Sequence, residues 1–319
     1  MSQIARWNHL NTRTFEKQYK DHLSDFREWE QLHNGESLVY PENFGSRMSI
    51  DEVALSKGEL YTVITNKESK GKKGCLAAII KGTKNEVVSK ALDKVPIEKK
   101  MVVKEITLDL ANNMDWICRT NFPNAIITAD RFHVQQVVSE AIQEVRIKYR
   151  RQAMDEENEL IMEARKQREK YIPGRYENGD TKKQLLARSR YLLFKPESKW
   201  TESQKKRVEI LFREFPEIEK AYKYAMCFRG IFETSKTRDE AKKRLHQWYE
   251  KINKIEIPQL ISAGNTIERH EGKILNYFYN RETNASAESF NAKLKGFRTL
   301  LHGVRDINFF LFRIEKLFA

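Results

Sequence analysis

Asp51 ends the run Arg47-Met-Ser-Ile-Asp51, Asp109 ends Val103-Lys-Glu-Ile-Thr-Leu-Asp109, and Glu288 opens a helix-like segment. Hard divalent cations such as magnesium take oxygen ligands. A pair of them clamps the attacking and leaving oxygens of an in-line phosphoryl displacement. Two strand tips and one helix start, each bearing a carboxylate, can supply that donor set. The chain holds 45 acidic residues, however, so spacing alone does not single out these three. The elements that carry them must do so.

The 319 residues are enough for roughly two domains, and 40% hydrophobic with 32% charged residues is ordinary for a soluble globular chain. A formal net charge of +13 attracts polyanions, of which nucleic acid is the commonest large one and an anionic membrane surface the alternative. There is no apolar run of the ~18 residues a membrane span requires. The start, Met-Ser-Gln-Ile-Ala-Arg-Trp-Asn, lacks the apolar core of a signal peptide, so a cytoplasmic, nucleoid-associated protein is expected. Three dispersed cysteines (Cys75, Cys118, Cys227) read as reduced thiols rather than a disulfide framework. The seven histidines form no ligand spacing, which argues against structural zinc.

Residues 14–33 space Phe15, Tyr19, His22, Leu23, Phe26, Trp29 and Leu32 at three- and four-residue steps, which predicts one amphipathic helix. After Pro41-Glu-Asn-Phe-Gly45, the runs 46–55, 59–67 and 74–81 are separated by turn residues and predict a three-strand antiparallel meander. A helix at 85–95 stopped by Pro96, a strand at 101–109, a helix at 112–121 and an apolar strand at 125–130 follow. Alternating strands and helices predict parallel pairing on that side of a mixed sheet. From about Val134 strands vanish. Helical spacing continues through capping-box patterns at Thr201-Glu-Ser-Gln204 and Thr237-Arg-Asp-Glu240, with breaks at Pro173-Gly174, Asn178-Gly179-Asp180 and Pro258. The expected organisation is an N-terminal helical segment (1–45), the first part of an α/β core (46–134), a long helical insertion (135–280) and C-terminal core helices carrying Glu288 (281–319).

A meander, a helix, a strand ending in Asp and a later helix bearing Glu is the layout of a ribonuclease-H-like nucleotidyl-transfer core. Two stretches extend the likeness: Ile126-Ile-Thr-Ala-Asp130-Arg131-Phe132-His133-Val134 and Thr283-Asn284-Ala-Ser-Ala-Glu288-Ser-Phe-Asn291-Ala-Lys293-Leu-Lys295-Gly-Phe-Arg298. With Ser49-Ile-Asp51-Glu52 they resemble the signature blocks of DDE transposases of bacterial insertion sequences, in particular the ISL-three-like group and its Bacteroides-type relatives, over roughly residues 45–315. Each block is weakly specific alone; three in order around a helical insertion are strongly specific.

The resemblance implies a metal-dependent DNA transposase in which Asp51, Asp109 and Glu288 hold two Mg²⁺ or Mn²⁺ ions. Water, and then a DNA 3′-hydroxyl, would be the nucleophile, so no protein nucleophile is needed. Glu52 is adjacent to Asp51 and belongs to the opposite face of a strand. Asp130 competes with Asp109 as second ligand, since both end apolar runs. In the related core the second carboxylate follows the strand after the first crossover helix, which implies Asp109, with Asp130, Arg131 and His133 beside the active site or near DNA. His133 also reads as a packed histidine capping the next helix.

Helical spacing puts Glu288, Asn291, Ala292 and Lys295 on one face, so a carboxylate shares its face with an amide and a cation suited to phosphate. Residues 289–319 hold six basic residues (Lys293, Lys295, Arg298, Arg305, Arg313, Lys316) against two acidic ones, a surplus that fits contacts to DNA phosphates. Asn291, Lys293, Lys295 and Arg298 are the DNA-binding candidates on this segment. In the insertion, Trp200, Trp248 and Tyr249 either stack on an unpaired base or form core between helices. Related full-length transposases usually place zinc-finger and helix-turn-helix elements ahead of the core. Here some 45 residues precede it, so recognition of terminal inverted repeats is expected from a separate N-terminal DNA-binding polypeptide, unless the copy is truncated. The implied partner is double-stranded DNA, both element ends and target, bound by a homodimer. The competing readings are a catalytically silent DNA-binding accessory protein and a nuclease of the same fold acting on another nucleic acid.

Overall fold

A six-stranded mixed sheet positions Asp51 and Asp109. The computed structural model describes the backbone of residues 2–33, 37–56, 58–281, 285–300, 304 and 306–319. Contacts divide the chain into two units, one of residues 1–130 with 282–319 and one of residues 131–281.

In the first unit, α1 (Ser2–Trp7), α2 (Thr12–Gln18) and α3 (Phe26–His33) precede the sheet. The single helix expected over 14–33 is broken: a π turn at Tyr19–Leu23 ends at Ser24, which is extended. The Ser24 hydroxyl donates to the Tyr19 carbonyl and accepts from the Phe26 N–H, so the side chain competes with the helical ladder and opens a second helix. The break lets Phe26 and Trp29 turn inward while Leu23 and Leu32 stay exposed.

The strands are β1 (Leu38–Val39), β2 (Arg47–Ser56), β3 (Glu59–Asn66), β4 (Leu76–Lys81), β5 (Glu105–Leu108) and β6 (Ile126–Ala129), in the order β1-β4-β3-β2-β5-β6. β2, β3 and β4 form the expected antiparallel meander. β5 joins β2, and β6 joins β5, in parallel. Helices α4 (Asn85–Leu92), α5 (Ile97–Val102) and α6 (Asn112–Asn121) lie between β4 and β6 in the chain. Of the strand expected at 101–109, Met101 and Val102 are therefore helical and the strand itself is confined to Glu105–Leu108. Pro96 does not merely stop a helix; it is the N-cap of α5, whose first turn loses nothing by the missing N–H.

The sheet's two faces bury different partners. Met48, Ile50, Ile64, Ile106, Leu108 and Ile127 pack with Val88, Leu92, Met114, Ile117 and Cys118 of α4 and α6. On the other face Val53, Leu55, Tyr61 and Val63 pack with Phe26 and Trp29 of α3 and with the C-terminal helices described below. This alternation along β2, with Ile50 to one side and Val53 to the other, places Asp51 on the second face.

The second unit is helical: α7 (Arg131–Lys166), α8 (Lys182–Arg188), α9 (Glu202–Glu214), α10 (Pro216–Thr234), α11 (Arg238–Ile252), α12 (Pro258–Arg269) and α13 (Glu271–Asn280). The 36-residue α7 is its spine, with α8, α10 and α12 against it. Thr201 and Gln204 close the expected capping box, and Thr181 with Gln184 forms a second that the sequence pattern did not flag. At Thr237 the box is shifted: Thr237 accepts the Glu240 N–H, while the Glu240 carboxylate accepts from Lys236. Among the described residues no helix is long and apolar enough to cross a membrane.

The chain then returns to the first unit with α14 (Ala285–Leu300) and α15 (Ile307–Phe318). Phe290 and Leu294 of α14 and Phe309, Phe310 and Phe312 of α15 are buried on the second face of the sheet. At roughly 1.5–3 kcal/mol per large apolar side chain, these contacts anchor the helix that carries Asn291 and Glu288.

Candidate active site

β2 and β5 pair through Arg47↔Glu105, Met48↔Ile106 and Ser49↔Thr107. Two residues further on, Asp51 stands level with Asp109; Asp51 is not the strand tip expected, because β2 runs on to Ser56 while it pairs with β3. β5 and β6 pair up to Leu108↔Ala129, and the Asp130 N–H donates to the Leu108 carbonyl at 2.7 Å, which brings Asp130 level with Asp109 on the next strand. Level residues on parallel strands share a face, and neighbouring strands lie about 4.8 Å apart. Asp51 and Asp109 are therefore immediate neighbours, and Asp130 is two strands, about 10 Å, from Asp51.

Asp51 is half-buried, and both its oxygens are held. Oδ2 accepts from Asn291 Nδ2 at 2.5 Å, across 240 residues of sequence, and Oδ1 accepts from the Glu52 N–H at 2.8 Å. Asn291 itself is 8% exposed. Its amide is spent on orienting a carboxylate, which places it beside the acid rather than on an outward face. Asp109, half-buried just past β5, accepts the Ala111 N–H on Oδ1 at 2.7 Å, an Asx turn that leads the chain into α6. Asp130 is buried. Glu52 lies on the other face of β2, where its Oε1 accepts from Asn113 of α6 at 3.2 Å.

Glu288 falls within α14, three residues before Asn291, but its side chain lies outside the described residues, as do Thr283, Asn284 and Arg305. Among the described residues no group of three His, Cys, Asp or Glu forms a ready cation site. The Asp51–Asp109 pair is what the structure brings together.

Beneath the carboxylates runs a polar layer that the sequence reading did not single out. Ser49, Thr107 and Thr128 each sit two residues before Asp51, Asp109 and Asp130, level with one another and buried. Ser49 Oγ is 2.6 Å from Thr65 Oγ1, and the buried Lys67 Nζ donates to Thr107 Oγ1 at 2.9 Å. The signal was present as a Ser/Thr-x-Asp pattern repeated along three neighbouring strands.

The basic residues of the C-terminal helices divide. Lys295 is exposed. Lys293 Nζ donates to the Gly71 carbonyl at 2.7 Å, and Arg298 Nη1 to the Ala54 carbonyl at 3.0 Å, so one cation is tied to the loop before β4 and the other to β2. Arg313 and Lys316 have partners of their own: the Arg313 guanidinium stacks 4.4 Å from the Phe297 ring centroid, and Lys316, though exposed, pairs with Asp25 at 2.5 Å. The positive surplus of residues 289–319 is thus larger on paper than on the surface, because a charge count cannot see intramolecular partners.

In the helical unit, Arg131 opens α7 beside Tyr277, with Nη1 donating to the Tyr277 hydroxyl at 3.4 Å and the guanidinium near the Phe232 ring. His133 lies in the same first turn, half-buried against Phe132. Trp200 packs on Tyr222 at 5.4 Å between centroids and donates to the Leu192 carbonyl at 3.0 Å. Trp248 and Tyr249 are buried, and Trp248 Nε1 donates to the Tyr224 carbonyl. These three aromatics are set in the helical core.

A mixed sheet whose parallel side carries a row of aspartates, one within β2 and two just past β5 and β6, and a helix returning after a long helical segment to meet the first of them, defines an α/β protein of the ribonuclease-H-like kind. The family model of ISL3-type DDE transposases, described as Transposase, matches residues 48–314, and the chain belongs to that family. Two curated relatives, both named transposase for insertion sequence element IS1557 and coming from Mycobacterium tuberculosis strains CDC 1551 / Oshkosh and ATCC 25618 / H37Rv, are each 24% identical over 264 residues. The match covers 82% of this chain and 57% of the length of those relatives.

Proposed function

We propose that this chain is the catalytic part of a DNA transposase that cuts DNA at the ends of an insertion sequence and joins them to target DNA. Asp51, Asp109 and Glu288 are assigned as the ligands of two Mg²⁺ or Mn²⁺ ions. The observation that carries this reading is the parallel register of β2 and β5, which puts Asp51 level with Asp109 just past β5, with Asn291 of α14 bonded to Asp51. The donor set fits hard cations, since both groups offer carboxylate oxygens and both are half-buried rather than sealed in the core.

Bound divalent ions would act as Lewis acids on the scissile phosphate and lower the pKa of the attacking oxygen. The chain's own residues supply position. Asn291 fixes the rotamer of Asp51, and the Asx turn fixes Asp109. Asp130, a full strand further out, is assigned a supporting place beside Asp109, with Arg131 and His133 following it. Exposed Lys295, with Lys293 and Arg298 alongside, is assigned to DNA phosphates, and the +13 field draws the polyanion in. Two element ends must be joined in one reaction, so the working form is assigned as a dimer on double-stranded DNA.

The test is Mn²⁺-dependent nicking and strand transfer on an inverted-repeat oligonucleotide duplex. Asp51→Asn, Asp109→Asn and Glu288→Gln should each abolish it, and Asp130→Asn should leave measurable activity. Cleavage unchanged in all three variants would sink the assignment. DNA binding without cleavage by the unaltered chain would favour a silent accessory protein.

A further inference from the structure

The helical unit contains a groove of about 1200 Å³ that the carboxylate site does not use. It runs along α7, and five arginines line it against a single carboxylate, Glu140. At its base Arg146, 4% exposed, donates from Nε to Gln143 Oε1 at 2.7 Å and from Nη1 to the Leu186 carbonyl at 2.9 Å. Gln143 Nε2 donates in turn to the Arg190 carbonyl at 3.0 Å, so α7 and the segment after α8 are fastened together. Arg150, Arg151 and Arg190 line the groove with exposed side chains. Among the described residues Arg146, Arg150, Arg151 and Arg190 have no ion-pair partner, while Arg229 is paired with Glu233 at 2.8 Å.

Four uncompensated guanidinium groups around one groove repel one another. Burial, with Arg150 and Arg190 nearby, pushes the Arg146 guanidinium below its ordinary value. A polyanion seated there would relieve that repulsion, and guanidinium forks match phosphate oxygens. The groove is not only cationic. Phe132, 59% exposed, and Phe194 also line it. Aromatic faces beside a basic track suit a strand whose bases are free to stack, whereas a duplex hides its base faces and offers phosphates alone. The volume lies above the ~300–1,000 Å³ of small-molecule pockets, which suits a short run of strand.

We propose that this groove binds an unpaired stretch of DNA strand, with phosphates on Arg150, Arg151 and Arg190 and a base against Phe132 or Phe194. That the strand is DNA rests on the proposed function; the preference for an unpaired strand rests on the groove. The test is fluorescence anisotropy with the full chain in EDTA, using a short labelled oligonucleotide either single-stranded or annealed to its complement. The arginines chosen are exposed, so the double variant Arg150→Ala with Arg190→Ala should keep the wild-type helicity and melting temperature. It should weaken single-strand binding at least tenfold and flatten the slope of log affinity against log salt by about 1.4, from roughly 0.7 per phosphate contact. Phe132→Ala should weaken single-strand binding by roughly 5- to 100-fold with the salt slope unchanged. Unchanged single-strand affinity in both variants would overturn the proposal, as would an equal loss for the duplex, which would mark a general phosphate surface. Because binding is read in EDTA, independently of any metal-dependent cleavage, single-strand binding by an unaltered chain whose Mn²⁺-dependent nicking survives all three carboxylate substitutions would sink only the carboxylate assignment.

Discussion

Replacing Asn291 by Ala removes a side chain that orients a proposed metal ligand from across the fold. The hydrogen bond it donates to Asp51 Oδ2 is 2.5 Å long, and Asn291 is buried, so water does not readily take its place. A hydrogen bond to a charged group contributes about 1.5–3 kcal/mol. If that energy serves to hold Asp51 in a ligating rotamer, its loss corresponds to roughly a 10- to 150-fold change, in line with the ~10–100-fold typical of groups that orient metal ligands. The assay is a Mn²⁺ titration of nicking on an inverted-repeat duplex. The midpoint for Asn291→Ala should rise at least tenfold, with the rate partly recovered at high Mn²⁺, whereas Asp51→Asn should not be rescued at any concentration. Thermal melting separates loss of orientation from loss of fold. A folded Asn291→Ala protein whose Mn²⁺ midpoint stays within twofold of wild type would refute the reasoning.

Two further outcomes concern the scaffold. Asp180, fully buried in the helical unit, would be raised by burial, but hydrogen bonds from Arg207 (2.9 Å) and Arg188 outweigh this and hold its carboxyl below 3.8. A lowered folded value contributes stability above the ordinary Asp range and loses it as pH falls through the folded value. Melting curves should therefore show extra destabilisation below about pH 4 in wild type that Asp180→Asn lacks, and a cost of roughly 1–3 kcal/mol at neutral pH for that variant, allowing for screening at the half-exposed Arg188; parallel acid profiles would disprove the coupling. In the first unit, Trp29 Nε1 and Tyr40 Oη both donate to Glu315 Oε2, at 2.6 and 2.7 Å. Glu315→Ala strands both donors and should cost roughly 2–4 kcal/mol in urea unfolding, with Glu315→Gln losing less; equal losses in the two variants would count against this account.

Local pattern was enough wherever a segment decides its own conformation. The meander, α6 and the capping box at Thr201 follow from alternation, turn residues and side-chain caps, all interactions within a few residues. Where two local signals compete, the sequence was ambiguous. Ser24 interrupts a run whose apolar spacing alone reads as one helix, and Met101 and Val102, β-type by composition, are helical because Pro96 starts a turn there. Charge counting failed for a related reason: Arg313 and Lys316 find partners in Phe297 and Asp25, and pairing is a property of packing.

By itself the sequence determined which residue types were available for chemistry: the acids Asp51, Asp109, Asp130 and Glu288, the block around Asn291, and a strongly basic chain. Only the tertiary structure decided which of them meet. Parallel register sets Asp51 beside Asp109 and leaves Asp130 one strand further away, and the burial of Phe290 and Leu294 presses α14 onto the sheet so that Asn291 reaches Asp51. Arg146, Arg150, Arg151 and Arg190 lie on α7 and in the segment after α8, up to 44 residues apart in sequence, and became a cluster only when Gln143 and Arg146 bonded the two segments together. Side-chain type is written residue by residue. Proximity between distant residues is set by strand register and core burial, which depend on the whole chain at once.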